Sequence, residues 1–412
     1  MQYRHGHSER KIISMDMRAL KKLALLSTSF VVVSGGAIAV NVPAIARDFP
    51  EIPLPLVESL TTMPSLFLIV SVLLSHAIAR KVGYKRTVLV GLATVLVSGL
   101  VPVFVHHFWV IFLSRALFGF GIGLFNSLLV SFIRHSYEGA ERAAMIGLQS
   151  AFEGIGGMTI SFLVGQLLKI DWQTSFWVYL AALPAMLLFA ALVPDIPAEP
   201  AAVSSQPQQT NPLSTRSKAM DKSVFGYLTL LVVAVMFYMT ITVRVTPLML
   251  ANGYGDATNG SYILSLIGIG AMTAGFLFGK VFGAVGKYTL PLALFGMGMA
   301  LVTIGLSDAV WVTGLAAAFC GFSFRTFIPY LFNKVNSSAS GNANAATSLL
   351  LVGFNIGAAF SPYGIVLVER LFRLTSERGI FFLEGALLLG GGILGGGYHF
   401  LAKHAETSAE EV

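Results

Sequence analysis

Charged side chains are scarce in this sequence. Asp, Glu, Lys and Arg make up 11% of its 412 residues, where a soluble domain carries about 25%. Hydrophobic residues make up 55%, and the mean hydropathy is +0.76. So few charges cannot coat a water-facing surface on a chain this long. A soluble enzyme or binding domain is excluded, and the main solvent is lipid. Cysteine is nearly absent too. Cys320 stands alone in an apolar run, so no intramolecular disulfide or thiolate metal site can form, and it reads as a small buried hydrophobe. His76, His106 and His107 lie at the edges of apolar runs without ligand spacing, so no metal is expected. The Gly-x-Gly strings lie inside apolar runs with no strand before them, and there is no Gly-Lys-Ser/Thr phosphate loop. No cofactor is expected, and any transport draws on an ion gradient or runs downhill.

The apolar residues are grouped. A spanning helix needs about 20 mostly apolar residues, and twelve runs qualify: 23–46, 56–79, 87–105, 108–133, 143–168, 173–195, 223–250, 260–282, 289–306, 309–332, 343–368 and 380–402. The first is longer than the roughly 7–15 residue core of a cleaved signal peptide, so it is read as a membrane helix. Between the sixth and seventh runs, residues 196–222 are rich in Pro, Ser and Gln and read as a flexible linker. The expected organisation is therefore a tail (1–22), a six-helix half (23–195), the linker, a second half (223–403) and a short tail (404–412). The net charge of +7 resides mostly in the short connections. That is membrane topology rather than a nucleic-acid surface, and no nucleic-acid partner is expected. With the N-terminus in the cytoplasm, nineteen of the 27 lysines and arginines fall on that side and five outside. This bias predicts both termini and the linker in the cytoplasm.

The two halves repeat at an offset of 202–203 residues. Gly83 matches Gly286, Gly119 matches Gly321, Phe152-Glu153 matches Phe354-Asn355, and Asn41 stands opposite Arg244. The ionisable residues do not follow the repeat. A charge at a helix centre costs about 2.5–3.5 kcal/mol on insertion scales, and four residues lie well inside the runs: Glu153, Arg115, Arg244 and Arg325. Glu153 has Gln149 one turn before it and small residues one turn after. It suits a proton or cation site, with a structural carboxylate held by Arg115 as the alternative. Arg115 would tune Glu153 or bind an anion; alternatively it snorkels to the nearer surface. Arg244 and Arg325 are cavity or snorkelling candidates. Asn41, Asn126, Tyr238, Tyr330 and Asn355 add neutral polar groups that would line a cavity or stitch helices together.

Three stretches carry a resemblance. The connection after the second run reads HAIARKVGYKR over 76–86, with a weaker copy, GKVFGAVGK, over 279–287. The fourth run contains RALFGFG at 115–121, and DWQTSFW at 171–177 leads into the sixth. Here the chain resembles the Major Facilitator Superfamily over essentially its whole length, and within it the bacterial twelve-helix drug:proton antiporter branch. The fifth run matches that branch only in part, having glycines but no Gly-Pro pair. The resemblance implies an all-α membrane protein of two pseudo-symmetric six-helix bundles in the bacterial inner membrane. It implies a monomer that exports drug-like or amphiphilic small molecules by alternating access, coupled to protons through Glu153 and Arg115. It also implies conformational-switch loops at Arg80, Gly83, Lys85 and Arg86, and at Gly279, Gly286 and Lys287. Arg80 stands where the family has an Asp of a cytoplasmic charge lock. Two alternatives are a carrier for an anionic metabolite, motivated by three intramembrane arginines against one carboxylate, and a non-transporting membrane sensor or lipid-handling protein.

Overall fold

The computed structural model describes residues 18–196, 222–338 and 343–410, and the regular structure among them is all helical. The tail before Arg18 and most of the linker lie outside the described residues. In chain order the helices are α1 (Arg18–Asp48), α2 (Leu54–Val82), α3 (Tyr84–Phe104), α4 (Phe108–Ser136), α5 (Gly139–Leu167), α6 (Thr174–Leu192), α7 (Lys222–Ala251), α8 (Ala257–Val285), α9 (Thr289–Leu306), α10 (Val310–Ser338), α11 (Ala343–Phe372) and α12 (Glu377–Glu410). Among the described residues ten segments are long and apolar enough to cross a membrane by length and composition, where the sequence predicts twelve. One of the ten, Ala257–Leu306, contains both α8 and α9. Helix α5 is not among the ten; Glu141, Arg142, Gln149, Glu153 and Gln166 reduce its hydropathy.

Local chemistry sets several boundaries. Asp256 and Asn259 form a reciprocal capping box that starts α8. Gly83, at φ 101°, separates α2 from α3 in a conformation that side chains disfavour. Helix α11 ends with Arg373 at φ 53°, and the Leu374 N–H donates to the Glu369 carbonyl at 2.9 Å. Ser376 then caps α12 through the Gly379 N–H, so the chain reverses within a few residues. Helix α12 runs to Glu410, past its predicted end at 402, because no Gly or Pro occurs from Leu401 onward to stop it. Two helices are not uniform. In α1, Thr28–Val31 and Ser34–Asn41 are 3-10 helix, as is Thr174–Ala181 in α6.

The chain forms two compact units, drawn differently from the two sequence halves. The described part of the first comprises residues 18–35, 67–157 and 176–196. The second comprises 36–66, 158–175, 222–338 and 343–410. Within the first, α3 packs on α4 and on α6 around buried Phe118, Phe125, Phe132 and Phe189. Lipid gives no hydrophobic drive for such pairing, so close approach matters. At Gly91 and Gly121 the two backbones leave no room, since a Cβ on either would lie 2.8 Å from the other's carbonyl oxygen. Within the second unit α7 packs on α11, α8 on α10 and α9 on α12, around Leu231, Met297, Phe327 and Phe381.

The α3–α4 contact yields a stability test. Gly121→Ala adds a methyl against backbone that cannot swing away, an overpacking costing about 1–3 kcal/mol. It should lower the midpoint of thermal unfolding in detergent. Gly147→Ala adds the same methyl to open space on α5 and should leave the midpoint unchanged or raise it.

Candidate functional site

Glu153 is the middle residue of the 29-residue helix α5, about 21 Å from either end at 1.5 Å per residue. It is partly buried and accepts a hydrogen bond from Gln149 Nε2 at 3.3 Å, one turn away. The i, i+4 spacing places the amide and carboxylate on one face. On α4, Asn126 is partly buried, and its Oδ1 has no hydrogen-bond partner among the described residues. Arg115, also on α4, is fully buried and so does not snorkel. Its Nη2 donates to the Gly35 carbonyl at 2.9 Å, and its guanidinium lies 4.4 Å from the Phe118 ring centre and 5.3 Å from that of Tyr179. The Tyr179 hydroxyl donates to the neighbouring Ser34 carbonyl at 3.2 Å. Both acceptors belong to the start of a 3-10 stretch of α1.

At the α2–α3 connection Arg80 and Arg86 are exposed. A carboxylate does reach this loop, but from a place the motif does not foretell. Asp195 Oδ1, beyond the end of α6, accepts the Lys85 N–H at 3.0 Å and the Ile196 N–H at 3.0 Å. It sits at the α3 N-terminus, next to Gly83, where an acid is favoured by exposed N–H groups and helix dipole. The second copy of the loop differs. Gly279 and Lys287 are exposed, Gly286 ends α8 at φ 49°, and the Lys287 carbonyl accepts from the buried Tyr330 hydroxyl at 3.4 Å. Tyr330 therefore engages the α8–α9 turn.

In the second unit the predicted polar residues separate by use. Asn41 is fully buried, and its Nδ2 donates to Ser175 Oγ at 2.6 Å and to the Trp172 carbonyl at 3.4 Å. Asn355 Nδ2 donates to the Leu351 carbonyl of its own helix at 2.9 Å. Tyr238 stacks on Phe324, with ring centres 3.9 Å apart and planes at 8°. Arg325 is exposed.

Arg244 is 3% exposed and is the centre of an ion cluster. Its Nε lies 2.9 Å from Glu58 Oε1 of α2. Its Nη1 lies 3.0 Å from Glu377 Oε1 of α12 and 3.4 Å from Glu369 Oε1 of α11. The α11–α12 reversal described above brings the last two together. Glu58 is fully buried, and neither of its oxygens has an aligned hydrogen-bond donor among the described residues. Glu384, two turns along α12 from Glu377, is 1% exposed, and the Arg244 charge and the Thr240 hydroxyl act on it. Breaking a buried pair such as Glu58–Arg244 from one side costs about 3–5 kcal/mol, because the other charge is left unanswered.

This cluster corrects the charge count that motivated an anion carrier. The tally of three arginines against one carboxylate omits Glu58 and Glu384, which are buried, and Glu369 and Glu377, which surround Arg244. These acids lie near the ends of their apolar runs, where a charge reads as solvated. The signal that was available is parity. The start of α2, the end of α7, the end of α11 and the start of α12 must share the end of the unit remote from the linker. There Arg378 also ties α12 to Asn252, just past the end of α7, at 2.8 Å and to Asp308 before α10. At the same end Trp172 Nε1 donates to Asp48 at 2.6 Å, Thr62 of α2 donates to the Ala359 carbonyl of α11 at 3.0 Å, and Ser265 of α8 donates to the Met158 carbonyl of α5 at 3.1 Å. Helices from both sequence halves thus close this end of the second unit.

Comparison with known proteins agrees with this architecture. The chain is 23% identical over 321 residues to a "Probable sugar efflux transporter" of Helicobacter pylori, covering 75% of this chain and 77% of that one. A protein of the same description from Pasteurella multocida is 23% identical over 282 residues, covering 66% and 67%. Among solved structures, a peptide transporter POT variant in complex with alafosfalin superposes with a TM-score of 0.69 at 14% identity, over 92% of this chain and 93% of that one. The human organic anion transporter MFSD10 (TETRAN) gives 0.57 at 16%, over 94% and 99%. At such identities these structures speak for the fold alone. The family model of the Major Facilitator Superfamily matches residues 24–362, and the chain, a multi-pass membrane transporter rather than an enzyme, belongs to that superfamily.

Proposed function

We propose that this transporter exports a small, neutral, hydrogen-bonding solute, with sugars and their amphiphilic glycosides the first class to test, in exchange for protons. The observation that carries the reading is Glu153: a carboxylate at the middle of a helix, joined to Gln149 on the same face. The neutral amides of Asn126 and Gln149, in the same unit as Glu153, suit a polyhydroxylated ligand better than an ion. The description of the bacterial relatives as sugar efflux transporters supports the same class. Neutralising Glu153 by a proton removes the cost of carrying its charge through the membrane, and ion coupling of this kind drives transport without a nucleotide.

In this reading all twelve helices cross the bilayer, α5 included, and α8 and α9 cross separately. The linker and both termini face the cytoplasm, so the end closed around Arg244 faces outward. Transport alternates between this state and one in which that end parts.

Two measurements bear on this. In inverted vesicles with an imposed pH gradient, Glu153→Gln should lose gradient-driven sugar accumulation by an order of magnitude or more while keeping downhill exchange. Undiminished accumulation would remove Glu153 from the proton path. For topology, single cysteines placed at Asn252 or His106 in a Cys320→Ala background should react with an impermeant thiol reagent in intact cells. A cysteine at Lys287 should react only after lysis. The opposite pattern would invert the assignment.

A further inference from the structure

We infer that the carboxylates around Arg244 form a second proton-binding site, separate from Glu153, and that proton binding at Glu58 unlatches α2 from α7. The cluster sets Glu58, Glu369, Glu377 and Glu384 against a single guanidinium. Arginine does not give up its proton, so Arg244 contributes one positive charge in every state. Four ionised carboxylates would leave an excess of three negative charges in a buried site, which is strongly unfavourable. The excess is relieved by taking up protons.

Geometry assigns roles within the cluster. The Glu369 and Glu377 side chains are 27% and 22% exposed, so water shares in their solvation. Glu58 and Glu384 have no such help. Glu384 Oε2, Glu58 Oε1 and Oε2 and Glu377 Oε2 are buried with no hydrogen-bond partner among the described residues. Of these, Glu58 Oε1 is in ion contact with Arg244, and a proton placed on any of the other three displaces no donor among the described residues. The charged groups acting on Glu58 are Arg244 from α7, Glu377 from α12 and Glu369 from α11. Those acting on Glu384 are Arg244 and Glu369, with the Thr240 hydroxyl as a neutral group beside them. Glu369 and Glu377 are joined by the short α11–α12 turn and stay with Arg244 when α2 leaves. Glu58 is the member contributed by a helix of the other sequence half. Ionised, it binds α2 to Arg244. Protonated, it loses the ion attraction, and the latch weakens as pH falls.

The inference uses the proposed transport cycle only to name what the unlatching opens; it does not depend on Glu153. The test is a distance between spin labels at Leu54→Cys on α2 and Leu250→Cys on α7, both exposed, in a Cys320→Ala background in nanodiscs. The distance should be short near about pH 8 and lengthen by several ångströms towards about pH 5, the range over which a crowded carboxylate takes up its proton. Glu58→Gln should show the longer distance at both values, and Glu58→Asp should restore the pH response. Glu153→Gln should respond like the parent, so failure of the transport assignment is told apart from failure of the latch. A pH-independent distance in the parent overturns the inference, whatever the folding of any variant. A Glu58→Gln protein that still responds fully overturns it as well.

Discussion

A guanidinium shut away from water must find partners, and at Arg244 they are carboxylates drawn from three other helices. Because the arginine charge is permanent, this demand persists in every conformation the protein visits. The α11–α12 reversal meets it locally, holding Glu369 and Glu377 close in sequence and in space. The remaining partner, Glu58, comes from α2 and is the only one whose helix belongs to the other half of the chain. The cluster therefore combines a fixed part and a separable part in one site. Much of the second unit is arranged around that end: the Arg378 tie, the Trp172–Asp48 bond and the α2–α11 bond all lie there.

The other ties at this end are of a different strength. Asn41 to Ser175, Thr62 to Ala359 and Ser265 to Met158 are neutral hydrogen bonds, and in membranes such bonds average about 0.6 kcal/mol. Together they give a closure that is specific in register but shallow in energy. A transporter needs both states within a few kcal/mol of each other, and a closure made mainly of weak bonds plus one charge cluster satisfies that. The glycine contacts between α3 and α4 work in the opposite sense. They fix two helices at backbone contact and offer no second arrangement.

The helices and the family were legible in the sequence because lipid demands long apolar runs, and such runs survive without any knowledge of contacts. Helix ends were legible where a cap was local, as at Asp256, and not where the chain simply lacked a stop, as in α12. The candidate site was legible only in part. Glu153 stood out because it sits mid-run. Glu58 and Glu384 did not, since a residue a few positions from the end of a run looks solvated until the neighbouring helices are placed around it. Asp195 was hidden for a related reason. Its partner, the N–H of Lys85, is backbone and carries no signature in sequence. Arg115 was visible as an intramembrane charge, but its contact with the Gly35 carbonyl depends on α1 leaving α-helical geometry, which no composition rule announced.

That departure in α1 has a mechanical meaning. Within the described helices the chain passes from one compact unit to the other at four points, after Gly35 in α1, Leu66 in α2, Gly157 in α5 and Ser175 in α6. In α1 and α6 the passage falls inside eight-residue 3-10 stretches. In α2 it comes two residues after Pro64, and in α5 it follows Gly156-Gly157. Each of these four passages thus falls in a 3-10 stretch or beside a proline or glycine. A 3-10 helix rises about 2.0 Å per residue against about 1.5 Å for an α-helix, so rewinding such a stretch would draw the helix in by about 4 Å. The four elbows give α1, α2, α5 and α6 the means to bend, and two of them to change length, without unfolding a turn of the spans on either side.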